Sequence, residues 1–296
     1  MADFQIFTDG SADIPLNTAR DKNIKVIPFY ISFDSENYSK ELFEMPREEF
    51  FENLIEKKLF PKTSLPSVQD YIDAFTPSLD KGKDIICFTI TDTLSGSYHS
   101  AASAGDILSE KYKGSKIFII NSWLATGAMQ LMIFEACRMR DTGMEAKEAY
   151  EICLKMRNDS RIMFMVGALT HLEKGGRIGK LVSLSGGILK IKPLIELKNS
   201  EINVAGVVRS RKNGLKKLSE VTADYFKKNS QNPNDYIFTI GTTNTPDEVP
   251  VFFEQLKEVV PEKNFMPPFF IGATIASHTG PDTIGVCFVK KYENYR

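Results

Sequence analysis

We predict an α/β protein of two lobes: an N-terminal lobe built on a doubly wound parallel sheet, and a smaller C-terminal α/β lobe with some antiparallel strands. Strand-like and helix-like segments alternate from end to end, as expected where strands are joined by helical crossovers. Residues 194–208 have the pattern of a hairpin that turns at Asn199-Ser200. At 296 residues the chain is near the length at which one core divides into two. We place the lobes at residues 1–160 and 161–296.

The elements of the first lobe follow from apolar runs and the residues that flank them. Strands are expected over residues 4–8, 25–33, 84–90 and 116–120. The third of these has little polar interruption, which is typical of a strand covered on both faces. Helices are expected over 46–58, 128–140 and 146–157, and further helices are expected to begin at Ser67 and after the small residues 95–105. The Ser67-x-x-Asp70 spacing predicts a capping pair. The helices at 128–140 and 146–157 are expected to be amphipathic.

The second lobe is predicted to mix strands and helices. Strands are expected over 162–169, 236–240, 269–276 and 283–289, besides the hairpin. Helices are expected over 215–228 and 249–260. The last two strands would flank a loop at 277–282 that carries His278.

Composition and charge exclude broad classes of partner. The 37 basic and 38 acidic residues nearly cancel, so the chain has no general attraction for nucleic acid or for an anionic membrane. No apolar run approaches the roughly 20 residues that span a bilayer, and the first residues do not resemble a signal peptide. No two cysteines form a CxxC pair, and the set is typical of buried thiols: Cys87, Cys137, Cys153 and Cys287. We therefore expect a cytoplasmic protein without stable membrane insertion.

Polar and glycine residues gather where the predicted strands end. In an open α/β sheet, ligands bind at the carboxyl ends of the strands. Loops after strands are also polar simply because their backbone must be solvated, so one such segment alone carries little weight. Five of them on one expected edge predict a binding site: 8–11, 63–67, 91–97, 121–122 and 277–280.

Three of these segments offer donors suited to an anionic oxygen. Ser95 and Gly96 precede a predicted helix, whose first N–H groups are unpaired and dipole-positive. The Thr63 hydroxyl could donate to the same oxygens, and His278 could supply a further donor. Two simpler interpretations stay open: Ser95 could be a helix N-cap, and His278 could be a hydrogen-bonded structural histidine.

Other familiar sites are poorly matched. In the glycine-rich run 174–180, Gly175 and Gly179 are one residue too close for a Walker loop, and Leu181 follows Lys180 where Ser or Thr is required. Thr93 stands where a GxSxG elbow needs its first glycine. Asp9 and Asp13 could ligate magnesium, but two aspartates in one turn more often cap and solvate it. We expect neither a metal nor a cofactor.

Apolar residues are abundant close to these segments. Phe164 lies between Met163 and Met165, and other apolar runs occupy 129–133 and 269–271. Such residues usually form core, but they would equally line a tunnel for a lipid tail.

Six motifs, taken in order, resemble the DegV family, the fatty-acid-binding subunits of the bacterial fatty acid kinase system. They are Thr8-Asp9-Gly10-Ser11-Ala12-Asp13-Ile14-Pro15, Thr63-Ser64-Leu65-Pro66-Ser67, Leu94-Ser95-Gly96-Ser97-Tyr98-His99-Ser100-Ala101, Leu172-Glu173-Lys174-Gly175-Gly176-Arg177-Ile178-Gly179, Lys190-Ile191-Lys192-Pro193-Leu194 and Ser277-His278-Thr279-Gly280-Pro281. The resemblance they support spans nearly the whole chain, from residue 3 to about 290. The resemblance implies a two-lobe DegV-type fold that encloses a long-chain fatty acid between the lobes.

The resemblance also implies roles for single residues. The fatty acid carboxylate would be held by Thr63, Ser95, backbone near Gly96, and His278. Arg177 and Arg209 would present the head group to a partner, the catalytic subunit of a fatty acid kinase, which binds ATP and makes the acyl phosphate used in phospholipid synthesis. Such a carrier is not an enzyme and has no cofactor; the fatty acid is its ligand.

The main alternative is a hydrolase or transferase that acts on a small carboxylate or acyl substrate. Ser95 would be its nucleophile and His278 its base, which requires their side chains within about 3 Å of each other. A nucleotide-binding domain is a third interpretation, and the failed Walker spacing argues against it.

Overall fold

The computed structural model describes residues 4–184 and 191–296; Lys190 of the fifth motif lies outside them. The strands are β1 (Phe4–Asp9), β2 (Ile24–Ile27), β3 (Tyr30–Ser32), β4 (Ser39–Lys40), β5 (Lys62–Ser64), β6 (Asp84–Thr89), β7 (Ile117–Asn121), β8 (Arg161–Met165), β9 (Lys192–Lys198), β10 (Glu201–Val208), β11 (Tyr236–Thr242), β12 (Phe269–Phe270) and β13 (Ile284–Lys290). The helices are α1 (Leu16–Asp21), α2 (Arg47–Phe51), α3 (Val68–Leu79), α4 (Ser97–Lys111), α5 (Thr126–Asp141), α6 (Ala146–Met156), α7 (Thr170–Lys174), α8 (Arg211–Lys228), α9 (Glu248–Leu256) and α10 (Ala273–Thr279). Within the described residues no helix is both long and apolar enough to cross a membrane.

The first sheet confirms the predicted doubly wound parallel arrangement. Its strand order is β2-β1-β6-β7, and every neighbouring pair is parallel. Helices α3 and α4 cover one face, while α5 and α6 pack on the other. Because both faces are covered, β1 and β6 are buried along nearly their whole length, as parallel strands are in α/β proteins.

The second sheet is mixed, as expected for the C-terminal part of the chain. Its order is β10-β9-β8-β13-β11-β12, and only the β11–β12 pair is parallel. Helices α8 and α9 pack on its outer face. The predicted hairpin is present: Asn199 and Ser200 have positive φ angles of 49° and 69° between β9 and β10, as a tight two-residue turn requires.

Helix α5 forms the layer between the two sheets. It contacts β1 on one side and β11 and β13 on the other, so most of its residues are buried. The expectation of an amphipathic helix here was wrong: its exposed residues, Arg138 and Asp141, lie near its C-terminal end, and a helix packed between two sheets has no continuous solvent face. The packing is close: a Cβ on Gly127 would lie 2.5 Å from the Phe269 ring and 3.0 Å from the Cys287 sulfur.

Two predicted strands take a different form. The run 25–33 is interrupted at Pro28 and becomes β2 and β3, because proline cannot donate to a strand ladder. The run 269–276 was predicted as a strand, but it forms only the short β12 and then helix α10. His278 therefore lies in the last turn of α10 and not in a loop. Helix α10 packs on the small antiparallel sheet β4-β3-β5.

Helix α10 is capped by a residue far away in the chain. Its N-cap residue, Gly272, has no side chain, and the Glu41 carboxylate accepts hydrogen bonds from the Thr274 N–H (2.8 Å) and from the Thr274 hydroxyl. A Cβ on Gly272 would lie 2.6 Å from Glu41 Oε1 and 2.7 Å from Asp13 Oδ1. Glycine is needed here because two carboxylates occupy the space of a side chain.

Three carboxyl groups are buried around this point. Asp9, Asp13 and Glu41 are at most 5% exposed, and no lysine or arginine in the described ranges forms an ion pair with them. Hydroxyl and N–H groups donate to them instead: Asp9 accepts from Ser97 and from the Ile90 N–H, and Asp13 accepts from the Thr126 hydroxyl. Hydrogen bonds thus partly offset the cost of burying charge.

Burial raises the pKa of all three groups. For Glu41 the pKa rises from 4.5 to about 7, and the neighbouring Glu41 charge raises the pKa of Asp13 further. An acid whose pKa is higher in the folded than in the unfolded state releases its proton on unfolding. The stabilising contribution of protonated Glu41 is therefore complete below pH 4.5 and is lost as the pH rises through about 7.

We predict that Glu41→Gln flattens the pH dependence of stability. Wild-type protein should lose on the order of a few kcal/mol in its free energy of unfolding between pH 5 and pH 8, and Glu41→Gln should lose clearly less because its amide carries no charge to desolvate. Urea unfolding at both pH values measures this difference. The exposed Glu49→Gln variant is the control, and an equal slope for Glu41→Gln and wild type would contradict the prediction.

Candidate functional site

A predominantly apolar cavity lies between the two sheets, at the N-terminal end of α5. The atom-free space amounts to about 770 Å³, and this figure includes the opening to solvent. Its apolar lining comes from both halves of the chain: Phe29, Ile90, Leu94, Ala125, Ile162, Phe164, Leu172, Leu197, Ile202, Ile271 and Ile275. Its polar lining is Thr63, Ser95, Thr126, Arg177, Thr274, His278, Thr279 and Thr283.

One wall of the cavity is a row of side chains across three strands. Ile162 of β8 pairs with Leu197 of β9, which pairs with Ile202 of β10. The sequence had suggested Phe164, Met163 and Met165 as candidates for a tail-binding region. Only Phe164 lines the cavity, because alternate residues of β8 point to opposite faces and the two methionines pack under α8. This alternation is visible in the sequence, but the direction in which each face points is not.

The polar end of the cavity joins Thr63 to His278. The Thr63 Oγ1 lies 3.0 Å from the His278 Nε2, although the two residues are 215 positions apart. Thr63 is the central residue of β5, and His278 is in the last turn of α10, which packs on that sheet. The other ring nitrogen, Nδ1, is buried and has no hydrogen-bond partner among the described residues.

Ser95 lines the same cavity as this pair, whereas Gly96, the next residue, is not among the lining residues; both lie just before α4. Gly96 is the N-cap residue of α4, so Ser95 is not the N-cap itself. The Ser95 oxygen accepts from the Ser97 N–H at 3.3 Å, which leaves its own hydroxyl proton free to donate. Ser97, by contrast, is buried and donates to Asp9. The structure therefore distinguishes two neighbouring serines: Ser97 is structural, and Ser95 faces the cavity.

The two predicted arginines occupy different positions. Arg177 lines the cavity, and its guanidinium donates to the Leu94 carbonyl (3.0 Å) and to the Gly175 carbonyl (2.6 Å). It thereby connects the loop after α7 to the loop before α4. Arg209 follows β10, is exposed, and does not line the cavity. The cavity thus contains one positive charge, at the same end as Thr63 and His278.

His278 is neutral in this setting. Burial lowers its pKa to about 4, and the positive charge of Arg177 acts in the same direction. A neutral imidazole has one donor and one acceptor nitrogen. This end of the cavity therefore offers hydroxyl donors, an imidazole and an arginine to an anionic group.

The other hydroxyls of the cavity are already used as donors. Thr126 donates to Asp13, and Thr274 donates to Glu41, so both present only acceptor lone pairs to the cavity. Thr274 and His278 are four residues apart on α10 and thus one turn apart on the same face. A buried acid, Glu41, lies behind Thr274, whereas hydrogen-bond donors surround His278. One end of the cavity thus presents acceptors and the other end presents donors.

The arrangement does not resemble a serine hydrolase. His278 Nε2 is engaged with Thr63, and within residues 4–184 and 191–296 no hydrogen bond joins His278 to Ser95. Nor does the described part of the chain contain a group of three or more His, Cys, Asp or Glu placed to hold a metal ion. Asp9 and Asp13, considered above as magnesium ligands, accept hydrogen bonds from protein groups instead.

Comparison with known proteins places the whole chain among relatives of one kind. A crystal structure of a stearic acid-binding protein from Eubacterium ventriosum has a TM-score of 0.91 and 31% identity, covering 99% of this chain and 100% of that one. The structure of DegV, a fatty acid binding protein from Bacillus subtilis, has a TM-score of 0.84 at 24% identity, covering 98% and 100%; this likeness shows the shared fold.

The sequence comparisons agree. A DegV domain-containing protein of Clostridium perfringens is 28% identical over 290 residues, which cover 98% of each chain. The family model described as an uncharacterised protein of the DegV family matches residues 3–291. With a match that spans almost its full length, the chain belongs to the DegV family.

Proposed function

We propose that this protein binds one long-chain fatty acid in the cavity, with the carboxylate at Thr63, Ser95, Gly96 and His278, and presents it to the catalytic subunit of a fatty acid kinase. The observation that carries the proposal is a single cavity with an apolar body and one donor-rich end. The similar structure from Eubacterium ventriosum, described as that of a stearic acid-binding protein, supports it. In this role the protein is a carrier and performs no chemistry.

The charges of the cavity support one orientation of the ligand. A carboxylate near Thr126 and Thr274 would face only oxygen lone pairs, because both hydroxyl protons are already donated to Asp13 and Glu41. A carboxylate at the other end would meet Arg177 and the free hydroxyl proton of Ser95. Opposite charge and hydrogen bonding both favour the ionised acid there.

The energy of burying the tail supports a lipid rather than a small acid. About fourteen methylenes at roughly 0.8 kcal/mol each amount to on the order of 11 kcal/mol before the costs of binding. The head group then needs only to recover its desolvation cost of a few kcal/mol, which three or four hydrogen bonds can supply. A small carboxylate would leave the row Ile162, Leu197 and Ile202 in contact with water.

The alternative of a hydrolase or transferase is less well supported. It needs a base hydrogen-bonded to its nucleophile, and the imidazole of His278 is bonded to Thr63 rather than to Ser95. We place the carrier in the cytoplasm, in keeping with four buried, unpaired cysteines.

We predict that protein purified under mild conditions carries about one fatty acid per chain. Solvent extraction followed by mass spectrometry measures the amount and identifies the acid. Leu197→Trp should carry much less, because the larger ring fills the space of the tail, whereas the exposed Val251→Trp should carry as much as wild type. Circular dichroism checks that both variants are folded. Lipid-free wild-type protein, or a fully loaded Leu197→Trp variant, would contradict the proposal.

We predict that the Thr63 hydroxyl is needed to bind the head group, and that a side chain of the same shape without a hydroxyl cannot replace it. Thr63→Val keeps the shape and removes the hydroxyl, so retention of radiolabelled stearic acid should fall by about tenfold, as expected for one lost hydrogen bond to a charged group. Thr63→Ser keeps the hydroxyl and should remain within about threefold of wild type. Equal retention in the valine and serine variants would remove Thr63 from the site.

The kinase partner can be tested through Arg209. This arginine is exposed, and within the described ranges it forms no ion pair or hydrogen bond, so its charge is available to an acidic surface. With labelled ATP and a bacterial fatty acid kinase subunit, lipid-loaded wild type should yield acyl phosphate. Arg209→Ala should keep its lipid but react at least about tenfold more slowly.

The matched control for Arg209 is Lys113→Ala, in the exposed turn between α4 and β7. That turn lies at the edge of the parallel sheet opposite to the strand ends that face the cavity. The Lys113→Ala variant should therefore form acyl phosphate at the wild-type rate. Unchanged turnover in Arg209→Ala would argue against this residue as a contact, and failure of wild type to react would argue against the kinase as partner.

A further inference from the structure

Two adjacent glycines after α7 are needed for different reasons. Gly176 has a φ of +70°, which disfavours other residues, and nothing lies within 4 Å of the position of a Cβ. Gly175 has ordinary helical angles, φ −76° and ψ −9°, which any residue can adopt. Backbone conformation therefore explains the second glycine but not the first.

The space at Gly175 is occupied by His278. A Cβ on Gly175 would lie 2.2 Å from His278 Nδ1 and 3.0 Å from Cε1, which is far closer than van der Waals contact allows. The imidazole therefore lies directly against the bare Cα of Gly175. On the opposite side of the ring, Nε2 is bonded to Thr63.

Neither Gly175 nor the imidazole can easily move away. The Gly175 N–H donates to the His171 carbonyl at 2.9 Å, at the end of α7. Its carbonyl accepts from Arg177, whose Nε is bonded to Leu94 across the cavity. His278 in turn is part of α10, which is capped by Glu41. The contact is thus between two anchored backbones.

This contact also selects the tautomer of the imidazole. Nδ1 is buried against Gly175 without a hydrogen-bond partner in the described residues. An unpaired buried N–H is rarer and costlier than an unpaired lone pair, so the ring proton belongs on Nε2. The Nε2–H group then donates to Thr63 Oγ1, and the Thr63 hydroxyl proton is left to donate onward.

We propose that Gly175 is a positioning residue: its bare Cα holds the His278 imidazole in the Nε2–H form and facing Thr63, so that the Thr63 hydroxyl donates into the cavity. The relay runs from Nε2–H to Thr63 Oγ1 and from Thr63 O–H to an anionic oxygen. That the oxygen belongs to a fatty acid carboxylate rests on the proposed function; the position and tautomer of the ring do not.

The test is the Gly175→Ala variant with two readouts. In ¹⁵N-labelled protein, long-range ¹H–¹⁵N correlation spectra report the tautomer of each of the three histidines. His278, assigned by its absence from His278→Ala, should be in the Nε2–H form in wild type and should change its tautomer or become a mixture in Gly175→Ala. Retention of radiolabelled stearic acid should fall by about tenfold.

A control variant and a double variant distinguish loss of the Gly175–His278 contact from other effects of an added methyl group. Gly114→Ala adds a methyl group where nothing lies within 4 Å, and it should change neither readout. Gly175→Ala/His278→Ala should bind no more weakly than His278→Ala alone, because the clash is absent. The double variant also measures any cost of the His171 carbonyl, which lies 3.0 Å from the added Cβ.

Two results would overturn the proposal. One is an unchanged His278 tautomer and unchanged retention in Gly175→Ala. The other is equal loss of binding or folding on adding Gly175→Ala to wild type and to His278→Ala, since the cause would then lie elsewhere. If wild type holds no fatty acid at all, the proposed function fails, while the spectra still decide whether Gly175 positions the imidazole.

Discussion

Helix α10 can lie beside an apolar cavity only because both of its ends are tied to the N-terminal half of the chain. At its first turn, the Glu41 carboxylate takes the place of an N-cap side chain. At its last turn, His278 bonds to Thr63 on the small sheet. Unpaired polar groups next to such a cavity would cost several kcal/mol each, so these contacts determine where the helix lies. The polar end of the cavity follows from that placement.

The cavity itself is a consequence of how α5 is placed. The two sheets are held apart by this helix, which is buried between them. The space lies where α5 begins, at Thr126, and one of its walls is the row Ile162, Leu197 and Ile202. The two halves of the chain are also joined near the cavity: the turn between β9 and β10 contacts the loop before α4 through hydrogen bonds of Ser200 with Thr91 and Thr93.

Hydrogen-bond acceptors and donors are separated along the cavity. Two buried carboxyl groups, Asp13 and Glu41, accept from Thr126 and Thr274, whereas Arg177 and a neutral imidazole lie at the donor end. Burial raises the pKa of the acids and lowers the pKa of His278, so desolvation reduces charge on both sides. What remains is a set of directed hydrogen bonds, which suits a site that must accept one anionic oxygen group and a long apolar tail.

Local patterns were enough to predict the α/β class, the parallel sheet, the capping pair at Ser67 and the turn at Asn199-Ser200, because these depend on periodicity and on neighbours in the chain. They also led to Thr63, Ser95 and His278 as candidates, whereas Arg177 followed only from the resemblance to the DegV family. The helical form of 273–279, the burial of α5 and the orientation of β8 depended on tertiary structure. Glu41 caps α10 from 233 residues away, and two sheets enclose α5. Contacts between residues so far apart leave no periodic pattern in a single sequence. For this reason, only the folded chain reveals that Gly175 leaves room for the His278 imidazole.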